Sequence, residues 1–170
     1  DVISGTFILI EGQFGIGDVI RIGDTGGLVE KLTLRTTVLR DERGAVHIIP
    51  NGEIKMVSNL TKTWSRAVID VLIGYGEDVD RVLETLRTIG DEFQRDPEWA
   101  PLLLEPPAVM GIENLTDSGV TLKMTAKTLP LKQWDVSREL RKRIKKRFEE
   151  EQIEIPQARV KMIVPDGEKR

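Results

Sequence analysis

The spacing of hydrophobic residues changes twice along this chain. At the start, Val2, Ile3, Phe7, Leu9 and Ile10 surround the small residues Ser4 and Gly5. That spacing suits a short helix and, nearly as well, a strand. From residue 14 to residue 59 the apolar runs are short and broken by turn chemistry. Gly17-Asp18 hands over to a strand predicted at 19–22. Gly26-Gly27 supplies positive-φ freedom before a strand predicted at 28–35. Asp41-Glu42-Arg43-Gly44 separates strands predicted at 36–40 and 45–49. Pro50-Asn51-Gly52 closes the run, because proline cannot donate to a ladder and Asn-Gly favours left-handed turns. Alternation is imperfect, as in Leu32, Leu34 and Thr36 followed by Val46 and Ile48. Short strands with frequent turns predict a small barrel-like sheet. So short a unit has a thin core, and neighbouring copies could supply the missing burial.

After residues 58–65 the pattern shifts to longer elements. Residues 67–73 carry Val68, Ile69, Val71, Leu72 and Ile73, apolar on both faces, which predicts a strand covered by helices. Gly74-Tyr75-Gly76 turns the chain, and Asp78 can cap the next helix. Val79, Val82, Leu83, Leu86, Ile89 and Phe93 recur at helical spacing as far as about Arg95. Pro97, Pro101 and Pro106-Pro107 mark a long loop. Strands predicted at 108–115 and 120–128 form a hairpin across Thr116-Asp117-Ser118-Gly119. A second helix runs from about Gln133 to Glu151, with Val136, Leu140, Ile144 and Phe148 along one stripe. Beyond Pro156, Val160, Met162 and Val164 share a face of a last strand. The order β-α-β-β-α-β is the ferredoxin-like split βαβ motif, so the chain reads as α+β.

Composition narrows the classes. The chain has 170 residues, of which 39% are hydrophobic and 31% charged, enough for a core and a solvated surface. A net charge of −3 gives no general attraction to nucleic acid or an anionic membrane. There is no cysteine, so no disulfide and no thiolate metal site, and there is one histidine. No stretch approaches the roughly 20 apolar residues that span a bilayer, and no signal peptide pattern is present. The opening at Asp1 without methionine suggests a piece of a longer protein, with its first residues loosely held.

Four constellations are candidates for chemistry. Gly12-Gln13-Phe14-Gly15-Ile16-Gly17-Asp18 superficially resembles a phosphate loop but lacks the Lys-Ser/Thr pair, and a strand follows it. His47 could act as a base or a pH sensor. No serine, cysteine or aspartate has a sequence claim to partner it, and a surface or interface role is expected. Glu77, Asp78 and Asp80 begin a helix, where the dipole and the cap favour acidic residues. The dense basic run Arg138, Arg141, Lys142, Arg143, Lys145, Lys146 and Arg147 reads first as a solvated helix near its C-terminal end, and second as electrostatic lining of a vestibule. The ferredoxin-like sheet lacks the stacking aromatics an RNA-recognition module needs. No catalytic residue, cofactor or metal site is expected, and the chain does not read as an enzyme.

Taken as a set, Phe14-x-x-Gly17-Asp18-x-Ile20, Gly27-x-Val29, Thr36-Thr37-x-Leu39-Arg40, Ile48-Ile49-Pro50-Asn51-Gly52 and Ser58-Asn59 resemble the cytoplasmic region of small-conductance mechanosensitive channels, the MscS family. The resemblance implies a small Sm-like β-barrel followed by the ferredoxin-like domain. It divides the chain into the end of a pore helix (1–13), a β-domain (14–62), an α/β domain (63–165) and a polar tail (166–170). That tail is too short and polar for the further strand some members add. The resemblance favours a helix for the first segment. It implies a homoheptamer in the cell's inner membrane, this part on the cytoplasmic side, with lipid contacted by transmembrane helices upstream of Asp1. It also implies opening under membrane tension to release ions and small solutes during hypo-osmotic shock, with no nucleic-acid partner. Phe14, Gly17 and Asp18 then match the hinge between pore helix and β-domain. Pro50, Asn51, Gly52 and Asn59 match the end of the β-domain and its portal region. A soluble oligomeric binding module, such as one for RNA, is the alternative.

Overall fold

The computed structural model of the chain describes residues 2–156. The first element is a helix, α1 (Val2–Glu11), which buries Gly5 and Ile8. It is docked on the barrel, not loosely held, because Ile8 enters the same core as Phe14, Ile20, Val29 and Leu39.

A five-stranded sheet follows, in the order β4-β3-β2-β1-β5. Strands β1 (Val19–Ile22) and β2 (Thr25–Leu32) pair with Ile22 opposite Thr25, so Gly23-Asp24 is the turn. This corrects the turn expected at Gly26-Gly27. Gly23 takes the left-handed conformation with φ +58, whereas Gly27 lies inside β2. A Cβ on Gly27 would sit 2.4 Å from the Arg40 carbonyl oxygen. The glycine therefore serves close strand approach, not turning. β3 (Thr36–Arg40) and β4 (Val46–Pro50) form the next hairpin, and Gly44 has φ +84 in the turn between them. Pro50 ends β4 at the sheet edge, where a missing N–H breaks no ladder bond. Asn51–Glu53 then forms a 3-10 turn instead of the expected left-handed one. β5 (Ser58–Asn59) returns to pair with β1, Ile20 opposite Asn59.

The second half contains β6 (Ser65–Ile73), α2 (Val79–Arg95), β7 (Ala108–Leu115), β8 (Val120–Thr128) and α3 (Gln133–Glu150). The antiparallel sheet has the order β6-β8-β7, that of the split βαβ motif. Asp78 caps α2 by accepting a hydrogen bond from the Arg81 backbone N–H at 3.3 Å. Val82, Leu86, Ile89 and Phe93 of α2 and Val136, Leu140, Ile144 and Phe148 of α3 fill one core with Ile69, Val71, Leu122 and Met124. β6 alternates strictly: Ala67, Ile69, Val71 and Ile73 are buried, while Arg66, Val68 and Asp70 are exposed. That corrects the expectation that both of its faces are covered. Both helices lie against one face, as an antiparallel sheet allows. The strand expected at Val160, Met162 and Val164, and the tail, lie outside the described residues.

Candidate functional site

The residues singled out by sequence converge on the joint between α1 and the barrel. Two clamps hold it. The first lies under α1. A Cβ on Gly5 would come within 1.9 Å of the Leu34 carbonyl oxygen and 2.8 Å of Asn51 Nδ2, so only glycine admits this packing. Asn51 and Thr37 are fully buried. The Thr37 hydroxyl donates to Asn51 Oδ1 at 2.7 Å, and Asn51 Nδ2 donates to the Thr33 carbonyl at 2.8 Å. The Asn51 backbone N–H donates to the Arg35 carbonyl at 2.8 Å. One side chain thus joins the 3-10 turn to the connection that leads into β3. Pro50 precedes it, and Gly52 is exposed beyond it.

The second clamp holds the turn between α1 and β1. Gly12 and Gly17 are left-handed there, with φ +59 and +92, and Phe14 is 3% exposed in the barrel core. Asp18 Oδ2 accepts from the Gly15 backbone N–H at 3.0 Å and from Asn59 Nδ2 at 2.9 Å. Asn59 Nδ2 also donates to the Gln13 carbonyl at 3.2 Å. Thr61 Oγ1 accepts from the Val19 N–H at 3.0 Å, and Lys62 Nζ donates to the Gly12 carbonyl at 2.6 Å. Phe14, Gly17, Asp18 and Asn59 are therefore one cluster, apart from Pro50, Asn51 and Gly52. Gly5, Thr33, Thr61 and Lys62 were missed by sequence reasoning as site residues, and Thr37 entered it only within the Thr36-Thr37-x-Leu39-Arg40 motif. Gly5 alone left a signal, a helix-weakening residue inside an apolar helical run.

The other constellations resolve into local structure. His47 Nε2 lies 3.0 Å from Asp41 Oδ2, which corrects the expectation that no aspartate partners it. The β3–β4 hairpin folds the two together. The hydrogen bond from His47 holds the Asp41 carboxyl below the usual carboxylate range, helped by the Ala45 and Arg43 backbone N–H groups. In the basic run, Arg143 bonds Asp96 at 2.6 Å and Glu139 at 2.9 Å, and Arg147 bonds Glu92 at 2.6 Å. Two of the seven cations thus tie α3 to α2 and the loop after it, while Arg138, Lys142 and Lys145 pair within α3. A groove of about 1030 Å³ separates the barrel from the start of α3, with Arg40, Arg43, His47, Trp134 and Arg138 on its walls. Among the described residues no group of three or more His, Cys, Asp or Glu side chains could hold a metal ion. No described helix is long and apolar enough to cross a membrane.

Comparison with known proteins gives a consistent result. Residues 1–62 match the family model for the β-domain of mechanosensitive ion channels. Residues 67–155 match the model for the C-terminal region of the mechanosensitive ion channel MscS. The small-conductance mechanosensitive channel of Caldanaerobacter subterraneus subsp. tengcongensis is 41% identical over 166 residues, covering 98% of this chain and 58% of that protein. The moderate conductance mechanosensitive channel YbiO of Escherichia coli is 33% identical over 149 residues, 88% of this chain but 20% of that one. The crystal structure of Helicobacter pylori MscS in its closed state superposes with a TM-score of 0.76 at 23% identity, over 98% of this chain and 65% of that one, a likeness of fold. The chain thus spans little more than half of the first of these relatives and much less of the second.

Proposed function

The chain belongs to the MscS family of mechanosensitive channels, and from that premise we propose that it is the cytoplasmic vestibule portion of a tension-gated channel subunit. The observation that carries the reading is the pairing, in one order, of the barrel and the split βαβ domain with the two matched family regions. In this reading transmembrane helices precede Asp1, and tension favours the state with the larger in-plane area. The pore helices tilt apart, and α1 is the end of one of them. Residues 14–62 form the β-domain and residues 63–165 the α/β domain of a homoheptamer on the cytoplasmic side of the inner membrane. Phe14, Gly17 and Asp18 serve as the joint between moving helix and fixed barrel. Pro50, Asn51, Gly52 and Asn59 shape the end of the β-domain.

Self-association has physical support. The barrel core consists of Ile8, Phe14, Ile20, Val29 and Leu39, while Val46 and Ile48 of the edge strand β4 are 45% and 68% exposed. A neighbouring copy can cover them. The reading is tested by expressing the full-length gene in bacteria lacking their own mechanosensitive channels and applying a hypo-osmotic shock. Survival is expected to be restored. A membrane-inserted protein that gives no protection contradicts the reading.

A further inference from the structure

The turn between α1 and β1 holds Gly12, Gly15 and Gly17 within six residues of chain, 12–17, two of them left-handed. By backbone chemistry alone it is a loose joint. The carbonyls of Gly12, Gln13 and Gly15 and the N–H groups of Gly15 and Gly17 are nonetheless bonded, and two of these bonds come from one distant segment. Lys62 bonds the Gly12 carbonyl, Asn59 bonds the Gln13 carbonyl and the Asp18 carboxylate, and Asp18 bonds the Gly15 N–H. Asn59 is itself fixed, because its Oδ1 accepts from the Thr61 N–H at 3.1 Å. The Leu60 N–H also donates to the Val19 carbonyl at 2.9 Å.

The same segment is the only chain linking the barrel to the second domain, and it is stiffly attached there. The Ser65 hydroxyl donates to the Leu60 carbonyl at 3.2 Å. The Trp64 ring packs against the Arg66 guanidinium, 5.0 Å from its centroid, and the Lys127 ammonium, 4.7 Å away. Lys127 belongs to β8, in the middle of the second sheet. An unbroken series of contacts therefore runs from the exit of α1, through Asn59 and Lys62, to the sheet of the α/β domain. It does not pass through the barrel core.

We propose that Asn59 and Lys62 form a latch that locks the glycine turn after α1 and couples the setting of that helix to the C-terminal domain. Asn59, Asp18 and Lys62 are positioning residues: they act by holding the joint. The proposal rests on the channel reading, since only there does α1 have two settings.

The test uses the full-length protein in lipid bilayers. Asn59→Asp sets two carboxylates against each other, and Asp18→Asn added to it restores an amide–carboxylate bond with donor and acceptor exchanged. With the latch broken, the open probability at a fixed intermediate tension is expected to rise at least about fivefold, the lower end of coupling between sites. The exchanged pair is expected to return it to the parent value. Acidification of the Asn59→Asp protein is also expected to restore the parent value, because two facing carboxylates then share a proton. Amide hydrogen exchange on the same proteins gives a readout independent of conduction: it is expected to quicken at Gly15 and Thr61 in Asn59→Asp and to slow again in the exchanged pair. A rise that the exchanged pair does not reverse, or unchanged gating and exchange in Asn59→Asp, overturns the latch. Absence of tension-gated current in the parent protein overturns the channel reading instead.

Discussion

Asn51 is fully buried, and its amide finds its partners inside the fold: the Thr37 hydroxyl, itself fully buried, and the Thr33 carbonyl. Truncation to alanine leaves the Thr37 hydroxyl without its acceptor in a site that water does not reach. Asn51→Ala is therefore expected to destabilise the fold by about 1–3 kcal/mol, measured by denaturant unfolding. Unchanged stability would show that the hydroxyl finds another acceptor. Only part of this is legible in the sequence. Pro50-Asn51-Gly52 stands out as turn chemistry, but that the asparagine faces inward depends on Thr33 and Thr37, residues ordinary in any strand. The glycines teach the same lesson. Gly26-Gly27 looks like the turn and Gly23 does not. Yet a two-residue hairpin needs its left-handed residue at Gly23, and the approach of the Arg40 carbonyl removes any room for a Cβ at Gly27. Local propensity cannot separate a glycine that turns from one that makes room.

At the scale of elements, periodicity was the better guide. The stripe Val82, Leu86, Ile89 and Phe93 gives α2, and Val136, Leu140, Ile144 and Phe148 gives α3, because each helix buries one face against one sheet. β6 was harder to read. Val68 and Leu72 suggest burial on both sides, but burial is decided by where the helices land, and Val68 is 45% exposed. The β3–β4 hairpin carries the chemistry that spacing hid. Asp41 accepts from His47, Ala45 and Arg43, and these bonds lower its pKa in the folded state. A depressed carboxyl stabilises the fold above its unfolded value, about 3.9, and that stabilisation is lost as the pH falls through the folded value. Comparison with Asp41→Asn isolates this group from the other carboxylates. Between about pH 5 and pH 2 the parent chain's melting temperature is expected to fall more steeply than the variant's. Parallel curves would mean that the Asp41 bonds contribute nothing to folding.

The whole molecule combines a barrel with a small core and a sheet–helix domain with a larger one. The order of the two domains was legible because five short motifs in the first half and the βαββα alternation in the second are independent signals. The joint between α1 and the barrel was not, since Asp18 and Asn59 are brought together only by the pairing of β1 with β5. At this scale the chain is expected to assemble through its own cytoplasmic surfaces. Native mass measured across a concentration range should reveal a closed heptamer. A strict monomer at all concentrations would move the determinants of assembly to the segment upstream of α1.

The central claim, that this chain is the vestibule of a tension-gated channel, is tested most directly by current. The full-length protein reconstituted into liposomes is held in excised patches under graded suction. The account predicts discrete conductance steps that appear above a threshold tension and disappear when suction is released. Protein shown to be inserted and assembled, yet electrically silent up to the tension at which the membrane ruptures, would contradict it.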